Sequence, residues 1–230
     1  MKKLFVAVLA IIFTVSAGAQ TVDEIVKLNT EAMGGKEKLS TLNSVKMTGS
    51  MSVQGMDIPL TISKQHLKGM RLDMEIMGSA NYQVANPQKG WIFMPVMGMT
   101  APEEMPAEQL NSVLPQLDIQ GGLVDYQAKG TKIEYAGKEK AEGTEAYKLL
   151  VERNGKKSTL YIDTKTNRLI KQLSKVVANG QEMDSETIFA DYKQNKDGYW
   201  FAYSITSNQG TIVIDNVETN IAIPESTFTN

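Results

Sequence analysis

The chain has 230 residues, 42% hydrophobic and 22% charged, with 24 Lys and Arg against 26 Asp and Glu, no cysteine and one histidine. That length holds one domain with a sizeable core, or two small ones, and the near-neutral balance argues against a nucleic-acid binder, which needs a basic stripe. Zero cysteines exclude disulfides, thiolate zinc sites, iron–sulfur clusters and cysteine nucleophiles, and a lone histidine, His66, excludes a multi-histidine metal site within one chain.

Met1-Lys2-Lys3, the uncharged apolar run Leu4–Val15 and the small residues Ser16-Ala17-Gly18-Ala19 have the layout of a secretory signal peptide. Residues 1–19 are therefore expected to be removed, leaving a soluble, exported, periplasmic protein of residues 20–230. Thr21 to Met33 reads as a helix: Ile25, Leu28 and Ala32 share a face, Thr21 and Glu24 fit a capping box, and Gly34-Gly35 ends it. Lys36 to Leu42 is expected to add a further helical turn.

From Ser44 the period changes to two. Val45, Met47, Met51 and Val53 alternate with Lys46, Thr48, Ser50 and Ser52; Ile58, Leu60 and Ile62 with Pro59, Thr61 and Ser63; Met70, Leu72, Met74 and Ile76 with Arg71, Asp73 and Glu75. Such alternation makes antiparallel strands with one dry and one wet face. Asn81–Ala85 and Gly90–Val96 read as two more, around the Asn86-Pro87-Gln88-Lys89 turn. Residues 98–125 break the pattern with Gly and Pro, and only Ala107–Leu117 suits a helix. A segment this long between strands reads as a functional loop or lid. Strands resume from Lys132 to Glu218, with Asn154-Gly155, Asn179-Gly180 and Asp197-Gly198 among the turns.

The expected fold is mainly β with few helices: about a dozen strands in one strongly curved antiparallel sheet or unclosed β-barrel, covered by an N-terminal helix and a helical lid loop. A curled sheet needs its dry face filled. One helix and a proline-broken loop are small for that task, which points to a ligand cavity.

No G-x-S-x-G elbow, P-loop or dinucleotide fingerprint is present, and His66, flanked by Lys64 and Lys68, reads as a surface residue. Eleven of the 13 methionines lie between Met33 and Met105. Three readings of that excess stay open. Met94, Met97 and Met99 offer soft thioethers to Cu(I); flexible methionines suit an apolar pocket that accepts varied shapes; and methionine also fills ordinary cores, as in an envelope structural protein. A hydrolase with two inward carboxylates is a further alternative.

The runs Leu67–Ile76 and Tyr82–Pro95, the hairpin Leu160-Tyr161-Ile162-Asp163-Thr164-Lys165-Thr166-Asn167-Arg168-Leu169 and the close Ile223-Pro224-Glu225-Ser226-Thr227-Phe228 resemble the LolA/LolB-like lipoprotein-carrier family. The segment Met33–Leu39 resembles an exported, sorting-like branch of it. The resemblance covers nearly the whole chain after residue 19, so residues 20–230 are expected to form a single LolA-like domain. It implies an unclosed barrel with helices over an apolar cavity for acyl chains. The arginine that holds the lid in those carriers would fall near Lys68 or Gly69.

The expected function is thus a non-catalytic, monomeric periplasmic carrier without cofactor. Its cargo is an acyl chain or lipoprotein, and an envelope membrane protein is a partner implied by the family. The expected cavity lining is Met47, Met51, Met70, Leu72, Met74, Ile76, Trp91, Phe93 and Met97, with residues 98–122 as lid.

Overall fold

The computed structural model describes residues 21–230 except Gln54, Asn179 and Gly180; the side chains of residues 177, 178 and 181 are also left out of account. The signal segment and the turns at Gln54 and Asn179-Gly180 lie outside the described residues.

Helix α1 (Val22–Ala32) starts where the sequence indicates. The Thr21 side chain accepts from the Glu24 amide, and the Glu24 carboxylate accepts from the Thr21 amide, closing the capping box. Gly34 and Gly35 end it with positive φ, their amides satisfying the last carbonyls. A short α2 (Lys36–Ser40) follows.

The strands are β1 (Ser44–Val53), β2 (Met56–Gln65), β3 (Gly69–Ile76), β4 (Ser79–Ala85), β5 (Gly90–Phe93), β6 (Glu103–Glu104), β7 (Lys132–Ala141), β8 (Thr144–Arg153), β9 (Lys156–Asp163), β10 (Leu169–Ala178), β11 (Gln181–Gln194), β12 (Trp200–Ser207) and β13 (Gly210–Thr219). They form one antiparallel sheet in the order β6-β5-β4-β3-β2-β1-β13-β12-β11-β10-β9-β8-β7. Neighbouring strands are consecutive in the chain except at its middle, where β1 pairs with β13. The two halves of the meander are thereby joined, and β6 and β7 remain as edges. The sheet is curved but not closed.

The segment between those edges carries α3 (Ala107–Val113) and a 3-10 turn over Leu114–Leu117, where Pro115 stops the α-helix. It reaches both halves. Leu110 and Leu117 pack on Met70 and Ala85, the Leu67 amide donates to the Leu117 carbonyl at 2.9 Å, and Lys156 Nζ of β9 donates to the Asn111 carbonyl at 2.8 Å. The expected lid is therefore present as a strap across the open side of the curved sheet. β6, only two residues long, was not legible in the sequence.

The core is divided along the concave face. At the β7–β9 end, Ile25 of α1 and Leu123 cover Tyr147, Leu149, Leu160 and Ile162. In the middle, Leu42 and Ile119 meet Val45, Tyr199, Ile214 and Val217. At the β3–β5 end, the strap covers Met70, Ala85 and Ile92. On the opposite, outer face the C-terminal residues 221–228 cross β2 and β3. A Cβ on Gly69 would collide with the Phe228 ring, so glycine there admits the chain end. Tyr82 Oη donates to Asn230 Oδ1 at 2.7 Å, and Asn86 Nδ2 to the Phe228 carbonyl at 3.1 Å.

Asp163, prominent in the hairpin motif, is a structural turn residue. It accepts from the Lys165 and Thr166 amides and from the Thr144 and Thr166 hydroxyls. Burial alone would raise its pKa, but these hydrogen bonds outweigh it and hold the carboxyl low.

Candidate ligand site

Register decides which side chains share the concave face. Met47 opposes Ile62, and Met51 opposes Ile58. Leu60 opposes Met74, Ile62 opposes Leu72, and on the far side Met51 meets Ile212 of β13. Met51, Leu72, Met74 and Ile76 consequently gather with Ile58, Leu60, Ile62, Val53, Ile212 and Met94 in one apolar cluster. Met47 belongs to the adjoining cluster of Val45, Phe201 and Tyr203, and Met70 lies beneath the strap.

Three expected lining residues lie elsewhere. Trp91 pairs with Val84, which pairs with Arg71; Phe93 pairs with Tyr82, which pairs with Asp73. Both rows belong to the outer, wet face, where Arg71 lies over the Tyr82 ring and Phe93 stacks beside it at 5.6 Å. Ile92 and Met94 are the residues of that segment that face inward. The pairing of β4 with β5 fixes this parity. Met97 ends a short 3-10 turn at the surface and is 80% exposed, away from the cluster. Met94, Met97 and Met99 also have three different surroundings: Met94 packs in the apolar cluster, Met97 points outward, and Met99 Sδ accepts from the Met94 amide at 3.3 Å. That arrangement supports packing rather than a thioether cage.

The cluster around Leu60 and Met74 differs from its neighbours. Each of the other concave clusters includes a residue of α1 or of the segment between α1 and β1 or β6 and β7. Here, apart from Met94, every member comes from β1, β2, β3 or β13. Met51, Val53, Ile62, Leu72, Ile76, Met94 and Ile212 are only partly buried. A concave apolar surface thus remains partly open next to a helical strap. Ile62, Ile212, Phe201 and Tyr203 share this face by strand alternation although none is a methionine.

The strap is tied down by charge. Asp118, just past the 3-10 turn, has a side chain only 3% exposed. Its Oδ2 forms an ion pair with Lys129 Nζ at 2.7 Å and accepts from Arg153 Nη1, at the end of β8, at 3.3 Å. His66 Nδ1 stands 4.0 Å from Oδ1, and neither of those two atoms has a hydrogen-bond partner among the described residues. Burial is the largest influence on His66 and pushes its pKa down, opposed by Asp118 and reinforced by Lys129, so the ring is neutral at pH 7. His66 is therefore a part-buried neighbour of this tie rather than a surface residue. Lys68 and Gly69, where the family arginine would fall, lie apart from it. Lys68 pairs with Glu225 at the surface, and Gly69 supports Phe228.

Lys64 also lies on the dry face. Lys64 opposes Val45 on one side and Met70 on the other, two places from Ile62. Burial alone lowers its pKa, to about 8.

Two open grooves of about 500 and 470 Å³ flank the C-terminal segment on the outer face, sharing Ile221–Pro224. They are lined by polar residues such as Asn43, Gln65, Lys46 and Asp73, and are separate from the concave face. No helix among the described residues is long and apolar enough to cross a membrane.

No family model matches the sequence, and no curated protein matches it. Solved structures do share its architecture. A domain from Vibrio parahaemolyticus described under outer membrane lipoprotein sorting aligns over 89% of this chain and 94% of its own, with 16% identity and a TM-score of 0.55. A LolA superfamily protein from Nitrosomonas europaea aligns over 91% and 98%, with 11% identity and a TM-score of 0.55. A DUF1329 family protein from Desulfovibrio piger aligns over 90% and 97%, with 10% identity and a TM-score of 0.58. The curved sheet, its strap and these full-length alignments together show that the chain has the fold of the LolA superfamily and of outer-membrane lipoprotein-sorting domains.

Proposed function

We propose that the protein is an exported, non-catalytic carrier that holds the acyl chain of a lipid or lipoprotein against the concave face, under the strap. The observation that carries this reading is the partly open cluster of Met51, Ile62, Leu72, Met74 and Ile212. The shared fold with domains described under lipoprotein sorting supports it. On this reading residues 1–19 direct export to the periplasm, the carrier works as a monomer, and an envelope membrane protein exchanges cargo with it.

Burying an alkyl chain yields about 0.8 kcal/mol per methylene. A segment of about eight methylenes therefore contributes roughly 6 kcal/mol, enough for binding in the tens of micromolar without any directed hydrogen bond. The clustered methionines suit such a ligand because their unbranched thioethers adapt to its shape.

The two faces of β3 provide the test. Leu72→Gln places an amide on the concave face and is expected to weaken binding of a fluorescent alkyl probe about tenfold. Arg71→Gln alters the outer face of the same strand and is expected to leave affinity within about twofold. Equal effects of the two variants would overturn the assignment of the binding face.

A further inference from the structure

The surroundings of Lys64 are unusual for a lysine of this protein. Many surface lysines meet carboxylates: Lys36 with Asp125, Lys89 with Glu104, Lys138 with Glu145 and Lys148 with Glu139. Lys64 instead lies in a row with Val45 and Met70 on the dry face, and among the described residues it has no ion-pair partner. Asp118, which stands beside His66 two residues further on, is already engaged by both Lys129 and Arg153 through one oxygen. No neighbouring charge contributes to the titration of Lys64.

Lys64 is half-buried, and an ammonium partly withdrawn from water without a counter-ion is costly in a folded protein. Where the apolar surface alongside it is partly open, an incoming anion can supply the missing charge. Ile62, two residues along the strand, and Leu72, opposite Ile62, lead directly from Lys64 into the open cluster. An alkyl chain lying on that cluster with one end toward β1 and the turn after β2 brings its head to the ammonium.

We propose that Lys64 is the head-group anchor of the carrier, and that the ligand is a single-chain amphiphile with an oxyanion head, a carboxylate or a phosphate monoester. This rests on the carrier reading above and adds to it a polar determinant and a ligand class. Lysine suits this task as a point charge with rotatable donors, which accepts either head without demanding a bidentate geometry.

The test uses the chain from Gln20 onward at pH 7, with displacement of a fluorescent alkyl probe by palmitate, hexadecyl phosphate and hexadecanol. Sodium acetate and inorganic phosphate serve as heads without a chain. The wild-type protein is expected to bind both anionic amphiphiles about ten- to a hundredfold more tightly than the alcohol, the range of a charge-assisted hydrogen bond. Lys64→Met is expected to abolish that preference while retaining hexadecanol binding, and Lys64→Arg to keep it. Equal binding of palmitate and hexadecanol by the wild type, or an undiminished preference in folded Lys64→Met, overturns the anchor and leaves the carrier reading intact. Displacement by acetate or inorganic phosphate alone assigns Lys64 to a free anion and overturns the amphiphile. Failure of every chain to bind overturns the anchor and the carrier reading together.

Discussion

Asp118→Ala is expected to destabilise the protein by about 3–5 kcal/mol, the usual consequence of removing one partner from a buried ion pair. The carboxylate is almost completely shielded, and two cations from different parts of the chain end on its Oδ2. Lys129 precedes β7 and Arg153 ends β8, while Asp118 belongs to the strap that crosses to β3. The alanine variant leaves both cations without their acid and releases the strap from the β7–β8 side. The checks are the urea midpoint and limited proteolysis between residues 98 and 131. A lowered midpoint with cleavage confined to that segment is the expected outcome; a loss below about 1 kcal/mol, the level of an exposed ion pair, would show that the strap is held by apolar packing alone.

Lys64→Met is expected to act in the opposite direction, raising stability at pH 7 by roughly 1–3 kcal/mol. The sign follows from its titration. The folded-state pKa is about 8, below the ordinary 10.5, so the unfolded chain binds the proton more tightly. The penalty for burying the charge is fully present below pH 8 and is relieved as pH rises from 8 to 10.5. The difference between variant and wild type should therefore be largest at neutral pH and shrink across that window, as measured by urea unfolding at several pH values. A constant difference would mean that methionine gains only through packing. A residue that costs stability while serving a ligand is the usual pattern at a binding site.

Much of this architecture was legible because local signals and tertiary packing agree. Thr21 and Glu24 form their capping box, and Asn154-Gly155 makes a hairpin turn with both residues at positive φ. The period-two runs from Val45 to Ile76 become three neighbouring strands, and most of their dry residues form the open cluster. Other features depended on pairings that no short window contains. Met77-Gly78 makes a similar positive-φ turn without the usual asparagine. Trp91 and Phe93 alternate correctly along β5, but which parity faces inward is fixed only by the register with β4. The Asp118 tie joins residues distant in sequence, and His66 beside it looked like one more polar residue between lysines. Lys64 is hidden for a related reason: the apolar alternation of β2 ends at Ile62, and the next inward position carries an ammonium.

Carriage requires an alkyl chain to lie against the concave face, and the methionines report on that face directly. With methyl-labelled methionine, titration with palmitate should shift or broaden the Met51 and Met74 methyl resonances and leave Met33, at the end of α1, unchanged. Met51 and Met74 signals that stay in place at saturating palmitate, or that move no more than Met33, would contradict it.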